Sequence, residues 1–155
     1  MNLILWRHAE AEAAKPGQSD WDRALTAKGR KQAAQMADWL RRYLPEDARL
    51  YASPTRRTCE TIEQLGKPYV PIKSLGPEAS PENLLNAAGW SGNSGSVLIT
   101  GHQPALGNLA AQLLSGQLHD VSWPFRKGSV WWFRSRIRNA KLQVQLIALQ
   151  DPEFL

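Results

Sequence analysis

The sequence predicts an α/β protein, a three-layer α/β/α sandwich with a mostly parallel central sheet. Two observations carry that expectation. Short apolar runs of strand length, "NLILW", "RLYAS" and "SVLITGH", alternate with helical stretches through most of the chain. The chain then closes on "GSVWWFRSRI" and "LQVQLIALQ" about "RNAK", the pattern of an antiparallel hairpin.

The elements follow in order. "NLILW" is a buried strand ended by charged residues. From Thr26 onward, Ala33, Met36, Ala37, Leu40 and Leu44 recur at helical spacing, with Arg30, Lys31, Gln35 and Arg41 between them. This is an amphipathic helix capped by Thr26 and stopped near Pro45. "RLYAS" is a second strand, and "SPTRRTCETIEQLG" opens a helix with proline in its first turn and closes it at Gly66. Residues 67–96, with their Pro, Gly, Ser and Asn, are expected to be mostly loop with one short helix around "PENLLNAAGW". "SVLITGH" is the third strand. "PALGNLAAQLLSG" follows as a helix with Leu106, Leu109, Ala110 and Leu113 on one face.

A chain of 155 residues fits one domain, 1–155, without internal repeats. No apolar run approaches the roughly 20 residues of a bilayer span, and the N-terminus has no secretory pattern, so the cytoplasm is the expected location. The single cysteine, Cys59, excludes an internal disulfide and any multi-cysteine metal site. A net charge of +5 favours anionic partners. The early arginines occur singly while Arg134, Arg136 and Arg138 lie close together late in the chain, so the basic character is not one continuous stripe. No nucleic acid is therefore expected as a partner, and no membrane is expected either.

Ligands of open α/β sheets bind beyond the carboxyl ends of the strands. Three strand ends supply Arg7 with His8, Ser53 to Arg57, and Gly101 with His102. If the strands are neighbours, two arginines and two histidines share one crevice, the composition of a phosphate site. The planar arginine fork grips two phosphate oxygens and stays charged at physiological pH. An imidazole aimed at phosphorus can act as nucleophile, and nearby arginine charge keeps His8 neutral.

Four segments in order, "RHAE", "RALTAKGRKQA", "SPTRRTCET" and "TGHQP", resemble the histidine phosphatase superfamily, the phosphoglycerate mutase-like proteins. Ala9 stands where the first motif has glycine. The resemblance covers nearly the whole chain, and its short length is most similar to bacterial phosphohistidine phosphatases of the SixA type. It implies that His8 takes the phosphoryl group, that Arg7, Arg57 and His102 hold it, and that Arg23 assists. Larger members supply a carboxylic acid after the second motif. Here Glu78 and Glu82 lie in a short Pro-rich stretch that does not align with it, which fits a phosphoramidate, since imidazole is more easily expelled than an alkoxide.

The expected activity is therefore a phosphatase without metal or cofactor, acting on phosphohistidine of a phosphorylated signalling or phosphotransfer protein. The alternatives are a phosphatase for a small phosphorylated substrate and, from another class, a non-catalytic phosphate- or RNA-binding module. Arg56, Glu10 and Glu12 are expected to be solvated, and His119 with Asp120 in a loop does not make a metal site. Cys59 is expected to pack, because a cysteine phosphatase needs an arginine where Leu65 stands. Trp131 and Trp132 point to opposite faces of a strand and are expected to pack, with an RNA platform beside Arg126, Lys127 and Arg134 as the minor reading. Arg134, Arg136 and Arg138 are expected to form a solvated sheet edge or to dock an acidic partner.

Overall fold

The computed structural model describes residues 1–90, 94–116 and 122–155; His119 and Asp120 lie outside them. The strands are β1 (Asn2–Arg7), β2 (Arg49–Ala52), β3 (Val70–Pro71), β4 (Ser96–Gly101), β5 (Val130–Arg138) and β6 (Lys141–Gln150). The helices are α1 (Ala27–Tyr43), α2 (Arg56–Ile62), α3 (Pro81–Ala88) and α4 (Ala105–Ser115). One mixed sheet runs in the order β3-β2-β4-β1-β5-β6. The pairs β3/β2, β2/β4 and β4/β1 are parallel, and β5 and β6 add an antiparallel flank.

Burial on both faces explains why β1 and β4 are apolar without alternation. Ile4, Trp6, Leu50, Ala52, Leu98, Val130 and Trp132 meet Ala33, Met36, Ala37 and Leu40 of α1 and Ile62 of α2. Leu3, Leu5, Val97, Ile99 and Phe133 point the other way, onto Leu84 of α3 and Leu106, Leu109 and Ala110 of α4. Each such large side chain contributes about 1.5–3 kcal/mol by leaving water. Trp6 has no exposed surface and satisfies its indole N–H on the Gly128 carbonyl at 3.0 Å.

The Thr26 cap lies at its expected place, and α3 carries a cap that the sequence reading did not give. Thr26 Oγ1 accepts from Gly29 N at 2.9 Å and opens α1, while Ser80 and Asn83 form a reciprocal capping box on α3. The α2 region departs from expectation in detail. Thr55 is its N-cap, so Pro54 precedes the helix instead of lying in its first turn, and residues Glu63–Leu65 tighten into a 3-10 turn before Gly66 at φ 66°. The segment expected to be loop also holds the short strand β3.

The arginine face needs a correction. Arg134, Arg136 and Arg138 are exposed, but β5 is not an edge: β1 pairs along it to Arg134 and β6 pairs along its whole length. The exposed edge on this side belongs to β6, since the sequence shows a hairpin but not which arm lies outside. Trp131 stacks on Phe125 with centroids 4.4 Å apart, and Trp132 packs edge-on to Trp39, so both rings are spent on packing. Among the described residues no helix is long and apolar enough to cross a membrane.

Candidate active site

The order β2-β4-β1 brings three parallel carboxyl ends side by side. Arg7 is in register with Gly101, and Ala52 with Thr100, so the residues that follow each strand emerge at one level. His8 N donates to Gly101 O at 3.1 Å and Ser53 N to Thr100 O at 3.0 Å, extending the ladder one step into the loops. The convergence expected of Arg7, His8, Arg57 and His102 is what the fold delivers.

His8 and His102 are buried, with ring centroids 5.2 Å apart. Nδ1 of His8 lies 2.7 Å from the Ala9 carbonyl oxygen, which can only accept, so Nδ1 carries the hydrogen and Nε2 keeps its lone pair. Burial pushes the His8 pKa down to about 3, and the charges of Arg57 and Arg7 act in the same direction. His102 is likewise pushed down to about 3 by burial and by Arg57. Both rings are neutral at physiological pH.

His102 is held through Nε2, 2.8 Å from Ser53 Oγ, with Nδ1 3.4 Å from Nη2 of Arg57. The Ser53 hydroxyl both donates and accepts, so it can serve either neutral tautomer of the ring. Arg7 donates from Nη1 to the Phe125 carbonyl, and its backbone N–H bonds Ser129 O at 3.0 Å. The Nε atoms of Arg7 and Arg57 are both buried with no hydrogen-bond partner among the described residues. Two unspent guanidinium donors beside two neutral imidazoles are suited to an oxyanion.

Arg57, not Arg56, faces this crevice. Arg57 is 3% exposed, whereas Arg56 points outward and pairs with Glu60 at 2.6 Å. The first two motifs are stitched together by Thr61, whose Oγ1 donates to Arg57 O at 2.6 Å and accepts from Ala9 N at 3.1 Å. Arg23 caps the 3-10 turn Asp20–Asp22 and bonds Asp20 Oδ1 and the Glu12 carbonyl.

Glu78 and Glu82 are exposed, and neither bonds His8, His102, Arg7 or Arg57. The carboxylate that reaches the site is Asp20, which the sequence reading missed. Its Oδ2 accepts from Arg57 Nη2 at 2.9 Å, and its backbone oxygen accepts from Nη1 at 2.7 Å. The signal in "SDWDR" was a serine cap followed by an Asp-Arg pair three residues apart. The Arg57 guanidinium, with Arg23, holds the Asp20 carboxyl below its ordinary range. Asp20 is therefore ionised. Among the described residues, no three His, Cys, Asp or Glu side chains cluster as metal ligands.

Fold and site place the chain in the phosphoglycerate mutase-like class of α/β proteins. The crystal structure of a candidate phosphohistidine phosphatase SixA from Agrobacterium tumefaciens superposes with a TM-score of 0.78, at 25% identity over 97% of both chains. Residues 3–75 match the model of the histidine phosphatase superfamily (branch 1). Phosphohistidine phosphatase SixA of Escherichia coli (strain K12) is 32% identical over 125 residues, covering 76% of each chain. A 33% identical match to 6-phosphofructo-2-kinase/fructose-2,6-bisphosphatase of Gallus gallus covers 47% of this chain but spans 16% of that protein. The chain belongs to the histidine phosphatase superfamily, and these relatives support a phosphatase activity.

Proposed function

We propose that the chain removes phosphate from phosphohistidine on a protein, through a phosphoryl group carried in turn by His8. The observation that carries this reading is the His8 ring, tied at Nδ1 to the Ala9 carbonyl and free at Nε2, with the unspent Nε donors of Arg7 and Arg57 beside it. In the first step Nε2 attacks phosphorus in line as the N–P bond to the substrate imidazole breaks. That leaving group departs neutral when its far nitrogen already holds a proton. No carboxylic acid of the enzyme has to donate one.

Positive charge then grows on the His8 ring, and the Ala9 carbonyl accepting from Nδ1–H stabilises it. Arg7, Arg57 and His102 stabilise the equatorial oxygens as charge redistributes, a task that needs fixed donors rather than proton transfer. Water then attacks phosphorus, phosphate leaves, and His8 returns to its neutral form. The choice of a phosphoramidate is supported by the carboxylates themselves: Glu78 and Glu82 make no bond to the site, and Asp20 is held ionised by two arginines. The SixA relative, a phosphohistidine phosphatase by name, points the same way.

The test is a rate comparison at neutral pH between a phosphohistidine-bearing carrier protein and a simple aryl or sugar phosphate, with His8→Ala as control. Fast, His8-dependent loss of phosphate from the carrier and slow ester turnover are expected. Preference for the ester would show that a carboxyl group acts as proton donor, and would move the assignment to a small-molecule phosphomonoesterase.

A further inference from the structure

Arginine offers an anion two different edges. One is the pair of terminal nitrogens, Nη1 with Nη2; the other is Nε with the Nη2 hydrogen beside it. In Arg57 the terminal pair is already engaged, Nη1 on the Asp20 backbone oxygen at 2.7 Å and Nη2 on the Asp20 carboxylate at 2.9 Å. The lateral edge is the one left over. Its Nε is buried without a partner among the described residues, and its Nη2 stands 3.4 Å from His102 Nδ1, a distance at which a hydrogen bond is weak.

Asp20 is itself held from two sides. Its Oδ1 accepts from Arg23 Nε at 2.9 Å, and Arg23 is anchored in turn on the Glu12 carbonyl at 3.0 Å. Ser19 caps the same turn by accepting from Trp21 N, and the Trp21 ring lies against Gly76, where an added Cβ would come within 3.1 Å of it. The turn that carries Asp20 is thus tied to the Glu12 segment through Arg23 and to Gly76 through Trp21. A long, otherwise rotatable arginine is given one orientation by a short carboxylate on a fixed turn.

We propose that Asp20 is a positioning residue, which grips the terminal nitrogens of Arg57 and so turns its Nε–Nη2 edge toward His102 and the phosphoryl group. This rests on the phosphatase reading above and adds to it a role for the "SDWDR" turn. It also gives Arg23 an indirect part, as the residue that holds Asp20. A carboxylate this near an anion site repels the anion as well as orienting the arginine, so the two effects oppose each other and can be separated by substitution.

The experiment measures orthophosphate binding by titration calorimetry, together with kcat and KM, for the wild-type chain, Asp20→Asn and Asp20→Ala. Asparagine keeps a side-chain acceptor oxygen and removes the charge; alanine removes both and leaves only the backbone oxygen on Nη1. Asp20 is about half exposed, so neither substitution opens the core, and the melting temperature checks this. The expected result is phosphate binding weakened about tenfold in Asp20→Ala, with lower kcat, and binding in Asp20→Asn at or above the wild-type level. Equal or tighter binding by Asp20→Ala would overturn the proposal and make the carboxylate a mere competitor for Arg57. An equal loss in both variants would overturn it too, since the acceptor alone would not suffice. If the wild-type chain bound no phosphate, both this proposal and the phosphatase reading would fall.

Discussion

The carbonyl oxygen of Ala9 accepts the Nδ1 hydrogen of His8 at 2.7 Å, a bond between neighbours in sequence that fixes which nitrogen of the ring is free. Ala9 occupies the position where glycine is usual in the first motif, and it is fully buried with its N–H on Thr61. The substitution therefore leaves the tautomer-setting carbonyl in place. Everything assigned to His8 depends on that arrangement.

The protonation state is directly measurable. With both ring pKa values pushed down to about 3, nitrogen NMR should show His8 protonated at Nδ1 only, and neither buried ring should titrate between pH 5 and 8. The unfolded histidines take up protons near pH 6.5, so stability is complete above that and falls as pH drops from 6.5 toward 3. A ring that titrated near 6.5 in the folded protein would contradict the neutral-nucleophile account.

Arg57 and Arg56 are adjacent, and their environments separate them. Arg57→Ala removes a buried cation from the site and should lower kcat/KM by about 10²–10³-fold. Arg56→Ala removes an exposed pair with Glu60 one helical turn away, worth about 0.3–0.5 kcal/mol of stability, and should leave turnover unchanged. Steady-state kinetics on the two variants decides the matter, and the reverse ordering would shift the motif by one residue.

Ser53 holds the His102 ring from inside a site with no exposed surface of its own. Ser53→Ala leaves a buried ring nitrogen with only Thr55 Oγ1 at 3.4 Å, so a loss of about 1–3 kcal/mol in urea denaturation is expected together with slower turnover. Unchanged stability would mean that His102 is held in some other way.

Gly29 illustrates a contest between two effects. Alanine is the better helix former by about 1 kcal/mol. At this position, however, its Cβ would lie 1.9 Å from the Glu10 carbonyl oxygen, a contact that backbone must move to relieve. Gly29→Ala should lower the melting temperature and, by displacing the segment after His8, reduce activity. A higher melting temperature would show that the segment is free to shift.

The sequence made the strand ends legible because burial on both faces forces uninterrupted apolar runs, and the residues that break those runs, Arg7, Ser53 and Gly101, therefore stand out. Parallel pairing then brings them to one edge. What stayed hidden came from tertiary placement. Asp20 sits on a three-residue turn far from any strand end, and only packing brings it onto Arg57. The carbonyls of Phe125 and Ser129 that hold Arg7 are backbone groups, which carry no residue-type signal. The inner position of β5 was hidden because a hairpin can dock by either arm.

The charge-stabilising groups assigned above are all protein groups, the side chains of Arg7, Arg57 and His102 and the Ala9 carbonyl, so a chelator such as EDTA should leave the rate unchanged. Loss of activity restored by a divalent cation would require a metal in the reaction.

Each step of the proposed reaction passes through a phosphoryl group carried on His8. Rapid acid-free quenching during turnover of a substrate labelled in its phosphoryl group tests it most directly. The expected result is a transient protein-bound label that is stable to alkali and lost in acid, located on His8 by mass spectrometry and missing from His8→Ala. Steady turnover with no label on the protein, or a label that survives in His8→Ala, would contradict it.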